Sequence, residues 1–469
     1  MNNHKTPGVY IEEQSLLGSS VVQVDTAVPG FVGYTEKAPQ TNTPTAISSM
    51  LEYNEKFGGA YPEQLGADLT KTPVAVDAKN ISDFKLYYHL QQFFANGGGK
   101  CYVVSVGNYP APDSTESKAI DTKKLTAGIT TLEKISDLTL LVVPEAVKTT
   151  DWKTVYETML NQCGKLKDRF SILDVPLTNP TVDDITKDVS SFRQLAPQAD
   201  FIKYGAAYTP YLHTSLSYAV DETKTMVVTV AGTTTTGNDG KTTTTGGSSS
   251  TLADLKTKDS AAYHKVVQAI GSHPLILSPS ASMAGVYAQV DANRGVWKAP
   301  ANVALQQVVA PSVMITEQEQ EALNVDSTSG KSIDAIRSFP GKGTLVWGAR
   351  TLDGNSNDWR YVPVKRLFIM IETSVKRAIE PFVFEPNTEV TWMTIETQIS
   401  SFLTDLWRQG ALVGTTAEQA FYVNLGLGKT MTEVDIQAGK MIVEVGLAPS
   451  RPAEFIVLRF SQKLQQAAA

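Results

Sequence analysis

The sequence contains few of the residues that build metal and redox sites. Its 469 residues include two cysteines, Cys101 and Cys163, and five histidines. The cysteines form no Cys-x-x-Cys pair and no cluster with histidine, which disfavours a disulfide framework or a zinc site. We predict two buried free thiols, no metal and no cofactor.

Excess positive charge and long apolar runs are also missing. The 41 Lys and Arg residues against 48 Asp and Glu residues give a net charge of −7, which disfavours general binding to nucleic acid or anionic membranes. No stretch approaches the roughly 18 apolar residues of a membrane span, and the start, MNNHKTPG, lacks the apolar region of a signal peptide. We therefore expect cytoplasmic synthesis, no nucleic-acid partner and no direct membrane insertion.

Common catalytic and nucleotide-binding motifs are missing as well. NLGLGKT (424–430) ends in Gly-Lys-Thr, but the Walker A pattern requires glycine where Val423 stands. ANGGGK (95–100) is glycine-rich, but it ends a predicted helix, where the helix dipole disfavours phosphate. We predict that the protein is not an enzyme, although a catalytic triad assembled by the fold stays open as an alternative.

Apolar strands alternate with helices over residues 26–340. Strands are predicted at 27–35, 100–106, 138–145, 170–176 and within 201–212, with helices between them. Unbroken apolar strands separated by helices indicate a parallel sheet covered on both faces, so we assign 26–340 to an α/β domain. Within it, residues 222–256 form a Thr/Gly/Ser-rich insertion, for which we expect a mobile surface hairpin or loop.

The sequence pattern changes at Gly341. A strand at 341–352, helices at 362–380 and from Asn387 or Thr388 to Gly410, and an alternating strand at 440–449 are predicted. We assign 341–452 to a second domain and 453–469, which includes a predicted strand at 453–463, to a C-terminal strand and arm.

Both chain ends are predicted as strands without a local partner. TPGVYIEEQ (6–14) alternates in the manner of a strand, and so does EFIVLRFSQK (454–463). We assign 1–25 to an N-terminal arm and expect loose connectors near 15–25 and 448–453. A strand with no local partner favours addition to the sheet of another chain.

Seven segments, taken in order, resemble tail sheath proteins of contractile phage tails and phage-like contractile injection systems, including R-type tailocin-like particles. The segments are TPGVYIEE (6–13), FFANGGGKCYVVSV (93–106), RGVWKAPAN (294–302), GKGTLVWGARTL (341–352), WRYVPVKRLFIMIETSVKRAIEPFVFEPN (359–387), FLTDLWRQGAL (402–412) and IVEVGLAPSRPAEFIVLRF (442–460). FIKYGAAYTPYL (201–212) and the modest insertion favour an extracellular injection particle over a virion.

The resemblance implies a multi-domain α+β sheath fold. An inner C-terminal domain would carry a small sheet completed by the N- and C-terminal arms of neighbouring subunits, and an outer α/β domain would carry the insertion. Subunits would polymerise as stacked hexameric rings around an inner tube and contract, driving the tube through a target membrane. The implied partners are further copies of the chain, the tube protein, baseplate and terminal cap proteins, and sibling sheath proteins. The protein would be made in the bacterial cytoplasm and belong to a phage tail or to a tail-like particle released from the cell.

The resemblance also suggests site residues. Strand exchange is expected to use Val9, Tyr10, Ile11 and Glu12 of one arm, and Phe455, Val457, Leu458 and Phe460 of the other. The receiving strands are expected within 341–350 and 440–447. Tube-facing candidates are Thr415, Glu418 and Gln419 of GTTAEQA (414–420), with Thr415 and Glu418 as a predicted capping box.

Two other functions stay open from the sequence alone. One is an independent hydrolase on the α/β scaffold, and the other is a surface-binding adhesin that uses the Thr/Gly-rich insertion. Deleting residues 1–20 separates them from a sheath, because only a sheath needs the arm for assembly.

Overall fold

The computed structural model describes residues 21–455 and 457, except 79–80, 112–113, 115–117, 181–183, 199, 231–232, 237–241 and 246–247. These residues form two compact units. The large unit comprises 25–369, 451–455 and 457, and the small unit comprises 21–24 and 370–450.

The described residues form the following elements. The strands are β1 (Pro29–Thr35), β2 (Thr45–Ile47), β3 (Gly66–Asp68), β4 (Ala75–Asp77), β5 (Cys101–Asn108), β6 (Leu140–Val142), β7 (Phe170–Asp174), β8 (Gly205–Thr209), β9 (Leu212–Thr214), β10 (Met226–Val230), β11 (Thr233–Thr236), β12 (Thr242–Thr245), β13 (Ser248–Thr251), β14 (Leu275–Leu277), β15 (Val303–Ala304), β16 (Val308–Pro311), β17 (Asp334–Phe339), β18 (Gly343–Val346), β19 (Phe421–Asn424) and β20 (Glu444–Leu447). The α-helices are α1 (Met50–Phe57), α2 (Leu86–Ala95), α3 (Thr122–Thr131), α4 (Trp152–Leu166), α5 (Thr186–Phe192), α6 (Leu252–Lys258), α7 (Ser260–Ser272), α8 (Ser280–Arg294), α9 (Glu317–Asn324), α10 (Val362–Ile379), α11 (Glu389–Arg408), α12 (Ala417–Ala420) and α13 (Glu433–Gln437).

A nine-stranded sheet forms the core of the large unit, in the order β15-β18-β17-β8-β7-β6-β1-β5-β2. The central strands from β17 to β5 run parallel. At the edges, β2 pairs antiparallel with β5, β18 with β17, and β15 with β18. Every residue of β1, β6, β7 and β8 is buried, as expected of parallel strands covered on both faces. The predicted α/β architecture is therefore confirmed.

The boundary between the units differs from the expected one. It follows Ile369, within α10, and not at 341. β18 lies beyond the expected boundary, but it pairs with β17 and β15 in the nine-stranded sheet. Pro340 and Gly341 lie in the turn that joins β17 to β18 in a hairpin, in which Phe339 pairs with Gly343.

The insertion at 222–256 is part of the fold at both of its ends. β10 and β13 are antiparallel neighbours in a four-stranded sheet of order β13-β10-β3-β4. Val227, Leu252 and Leu255 are buried in a second hydrophobic core of the large unit. Among the described residues, β11 and β12 pair only with each other. A hairpin is thus present in the middle of the insertion, whereas its flanks belong to a core because their apolar side chains pack there.

Helix α11 and the β19–β20 pair form much of the small unit. α11 buries an apolar stripe of Ile395, Ile399, Phe402 and Leu406. β19 packs against this helix and pairs antiparallel with β20. Of the predicted strand at 453–463, the described residues 453–455 and 457 are not in a strand, and the others lie outside the described residues.

Both cysteines are buried and unpaired, as predicted. Within the described ranges, no group of three or more His, Cys, Asp or Glu side chains could hold a metal ion. No helix in the same ranges has the length and apolar character needed to cross a membrane.

Candidate functional site: a two-stranded sheet with an open edge

The β19–β20 sheet is the candidate site because each strand has a single strand neighbour among the described residues. Ala448 N donates to Ala420 O at 2.9 Å, which extends the ladder by one step. Because hydrogen-bonded pairs alternate along an antiparallel ladder, the N–H and C=O groups of Val445 and Leu447 point away from β19. β20 therefore presents an open edge to an incoming strand.

The chain beyond β20 is held by backbone hydrogen bonds. Val413 N donates to Ala448 O at 2.9 Å, and Ser450 N donates to Ala411 O at 3.0 Å. The expected loose connector at 448–453 is therefore wrong for residues 448–450. Their backbone groups bond to residues 411 and 413, which precede α12. The spacing of residues in the sequence does not reveal this pairing.

The outer edge of β19 is less open than that of β20. The Phe421 N–H closes the single turn of α12 by donating to Ala417 O, so it is not available to another strand. The same alternation leaves the Val423 N–H pointing outward. β20 is thus the better acceptor of the two.

The two faces of the β19–β20 sheet differ. Phe421 and Val423 are buried, whereas Tyr422 is 49% exposed. Tyr422 stands opposite Gly446, and its hydroxyl donates to Glu444 Oε1 at 3.1 Å. A Cβ on Gly446 would lie 2.1 Å from the Tyr422 ring, so the ring covers the glycine. This pair is not among the predicted site residues, although a glycine inside a strand is the sequence signal for such a close approach.

The tube-facing candidates lie in an exposed turn before β19. α12 begins one residue later than predicted, with Thr416 at its N-cap and no side-chain cap, so the predicted Thr415–Glu418 capping box is wrong. Instead, Thr415 N and Oγ1 donate to Gln419 Oε1 at 3.0 and 2.7 Å. Glu418 stays outside this pair, and hydrogen bonds from its own backbone and from Thr416 lower its pKa.

The arm residues fall into two groups. Phe455 and Val457 are described, and their apolar side chains are 71% and 76% exposed. The remaining candidates lie outside the described residues; they are Val9, Tyr10, Ile11, Glu12, Leu458 and Phe460.

The two segments that were expected to receive strands differ in whether they have an open edge. Within 341–350, β18 has a strand neighbour on each side, β17 and β15, so it has no open edge. Within 440–447, β20 has the open edge described above. Among the described residues, β20 is therefore the one of these two segments that has an open edge.

Comparisons with known proteins agree with this architecture. Residues 355–463 match the phage tail sheath C-terminal domain family. The PVC sheath complex of an extracellular contractile injection system, solved in the contracted state, is 32% identical and has a TM-score of 0.65, with 99% of each chain covered. The contracted helical sheath of the anti-feeding prophage is 31% identical with a TM-score of 0.64, covering 98% of this chain and 100% of the other.

A more distant match extends the likeness of fold. The sheath tail protein Lin1278 of Listeria innocua is 9% identical, with a TM-score of 0.51 over 91% of this chain and 95% of the other. A comparison with curated protein sequences gives no match.

The fold and the matches define the class of protein as a structural sheath component, not an enzyme. The chain belongs to the phage tail sheath family, and within that family it is similar to the sheaths of contractile injection systems. The resemblance seen in the seven sequence segments is thereby confirmed.

Proposed function

We propose that this chain polymerises as stacked hexameric rings around an inner tube, and that contraction of the resulting sheath drives the tube through a target membrane. The observation that carries the proposal is the open edge of β20, a strand with one strand neighbour among the residues that the structure describes. A two-stranded sheet is marginal by itself, so β20 is a natural acceptor for a strand from another subunit.

The arms of neighbouring subunits supply the incoming strands. Val9–Glu12 of one subunit and 455–460 of another complete the β19–β20 sheet. The exposure of Phe455 and Val457 supports this role, because alternate apolar side chains of an extended segment need a surface to cover them. Register is specific, since a slip by one residue would turn these side chains to the wrong face.

Main-chain hydrogen bonds stabilise each contact between subunits. Val445 and Leu447 each offer one N–H and one C=O, and a net contribution of about 0.5–1.5 kcal/mol per hydrogen bond gives roughly 2–6 kcal/mol for a full set of four. Repeated over many subunits, such links form a mesh that persists while the subunits move as rigid bodies. Contraction is then driven by new contacts between subunits, without a nucleotide.

The remaining partners follow from the relatives. The anti-feeding prophage relative was solved in a baseplate and in a contracted helical sheath, and we infer equivalent self-assembly and baseplate contacts here. A terminal cap and sibling sheath proteins complete the particle. The inner tube contacts the small unit, with Thr415, Glu418 and Gln419 as the proposed contact residues. The protein is made in the bacterial cytoplasm and belongs to a phage tail-like particle.

Deletion of residues 1–20 tests the proposal. Purified wild-type protein is expected to form long tubes in negative-stain electron micrographs, because each subunit can both donate and accept a strand. The deletion variant is expected to remain dispersed while its thermal unfolding midpoint stays close to that of dispersed wild-type subunits. Wild-type protein that forms no tubes, or a deletion variant that forms normal ones, contradicts the proposal.

A matched control removes the insertion in place of the arm. Val230 and Ser248 are register partners of β10 and β13, so Asn-Gly in place of residues 231–247 closes a two-residue hairpin. This variant is expected to form tubes as the wild type does. Loss of tubes only in this variant would favour a role for the insertion in assembly.

A further inference from the structure

The first residues of the C-terminal arm are fixed by one carboxylate. Glu454 Oε1 accepts from Arg350 Nε at 3.0 Å and from Asn324 Nδ2 at 2.7 Å. Its Oε2 accepts from Arg350 Nη2 at 2.6 Å and from the Tyr361 hydroxyl at 3.1 Å. Three side chains from separate segments of the large unit therefore converge on one residue of the arm.

Arg350 is also held in place by contacts other than those with Glu454. Its side chain is 5% exposed, and Nη1 donates to Asn324 O at 3.2 Å and to Gly354 O at 3.4 Å. Its backbone N donates to Asp334 Oδ1 at 2.8 Å. The guanidinium is therefore preorganised for a bidentate carboxylate, the strongest common geometry for such a pair.

The charge state of Glu454 suits the contact. Burial raises the pKa of this carboxyl, but hydrogen bonds from Arg350 and Asn324 outweigh burial, and the pKa lies below its ordinary value. Glu454 is therefore ionised at neutral pH, and the pair is charge-assisted.

The start of the large unit is held through the same chemistry. Arg366 Nη1 and Nη2 donate to the two carboxylate oxygens of Asp291 at 3.0 and 2.5 Å. Nη2 also donates to Thr26 O at 2.9 Å, and the Thr26 hydroxyl donates to Asp291 Oδ2 at 2.6 Å. A buried arginine thus holds the chain where it enters the large unit as well.

We propose that the Glu454 clamp, formed by Arg350, Asn324 and Tyr361, positions the C-terminal arm for strand exchange. The clamp fixes Glu454 to the large unit, so the donated segment, which begins at Phe455, leaves the large unit at the clamp and not from the connector at 448–453. This inference rests on the proposed sheath function.

A donated segment that begins at the clamp has two physical consequences. It raises the effective concentration of the donated strand at the neighbour's β20, because fewer residues are left to sample other positions. It also passes a pull on the arm directly to the nine-stranded core through Arg350, because the carboxylate and guanidinium share two hydrogen bonds. The arm then links rigid bodies with little slack.

A spin label near the arm's first residues tests the clamp in dispersed subunits. Val457→Cys introduces a labelling site that is 76% exposed, whereas Cys101 and Cys163 are fully buried. Glu454→Gln keeps the shape of the side chain but removes its charge, and the label is expected to become clearly more mobile in electron paramagnetic resonance spectra.

The matched control is Arg451→Gln, three residues earlier in the chain. Arg451 pairs with Asp358 at 3.9 Å, with side-chain exposures of 48% and 78%, and an exposed pair of this kind contributes little. Label mobility is expected to stay at the wild-type level. A label in the Glu454→Gln variant that is no more mobile than in this control overturns the clamp.

The second readout is assembly of the unlabelled variants, for which wild-type tubes are the reference. Glu454→Gln is expected to raise the protein concentration needed for tubes by roughly three- to tenfold, with Arg451→Gln at the wild-type value. A freed label with an unchanged assembly concentration overturns the positioning role. The label experiment uses dispersed subunits, so its result stands even where the proposed sheath function fails.

Discussion

At the scale of single residues, a side chain distant in sequence fixes the start of a helix. Glu145 Oε1 accepts from Lys85 N at 3.1 Å and Leu86 N at 3.2 Å, at the N-terminus of α2, and its Oε2 accepts from Tyr34 N at 2.9 Å. Burial raises the pKa of Glu145 to about 8, because it disfavours the charged form more than these hydrogen bonds favour it.

This pKa predicts how stability depends on pH. The pKa of Glu145 in the folded state lies above its ordinary value of 4.5. Between pH of about 4.5 and 8, folded Glu145 therefore keeps a proton that unfolded Glu145 has lost. The free energy of unfolding of the wild type is therefore expected to fall relative to Glu145→Gln as the pH rises through that window, by up to about 1.4 kcal/mol per pH unit. Urea unfolding at intervals between pH 5 and 8 measures the difference.

Glu133→Gln provides the matched control, because Glu133 is exposed and the substitution removes the same charge. Its stability is expected to follow that of the wild type across the range. A Glu145→Gln variant whose stability also parallels the wild type at every pH would show that the buried carboxyl does not titrate in this window.

At the scale of elements, the sequence predicts many strands and helices but not every partner. Nearly continuous apolar runs such as 138–145 indicate a parallel sheet, because strands buried on both faces are apolar along most of their length. The apolar stripe of α11 is likewise visible in the spacing of its apolar residues. Which sheet a strand joins is decided by distant residues, so β18 was expected in the C-terminal domain but lies in the nine-stranded sheet.

The open edge of β20 gives a prediction about one backbone group. Val445→Pro removes an N–H that points away from β19, so the β19–β20 ladder stays intact, as proline permits on an edge strand. Subunits are expected to keep a thermal unfolding midpoint close to that of Val445→Ala, but to lose tube formation, because the incoming strand loses a donor and meets the proline ring. Electron microscopy of both variants at equal concentration measures the effect.

Val445→Ala controls for the lost side chain, since it keeps the N–H. It is expected to form tubes. If Val445→Pro assembles as readily as Val445→Ala, β20 does not receive a strand on its outer edge.

At the scale of the whole molecule, the sequence predicts the type of candidate site but not the contacts that build it. Two strand-like chain ends without local partners indicated exchange between subunits, and the seven sequence segments indicated the family. The arm's attachment to the large unit through Glu454 was not predictable, because Arg350 and Asn324 lie 104 and 130 residues away in sequence. The covering of Gly446 by Tyr422 likewise depends on strand register, which the hydrophobic pattern alone leaves open.

The proposed function depends on one subunit completing the sheet of another. A helical cryo-electron microscopy reconstruction of the assembled protein tests it most directly, because main-chain density identifies which subunit each strand comes from. We expect an arm strand from a neighbouring subunit, residues 8–14 or 455–460, hydrogen-bonded to Val445 and Leu447 of β20. An assembled sheath in which that edge is unpaired, or in which both arms fold back onto their own subunit, would contradict it.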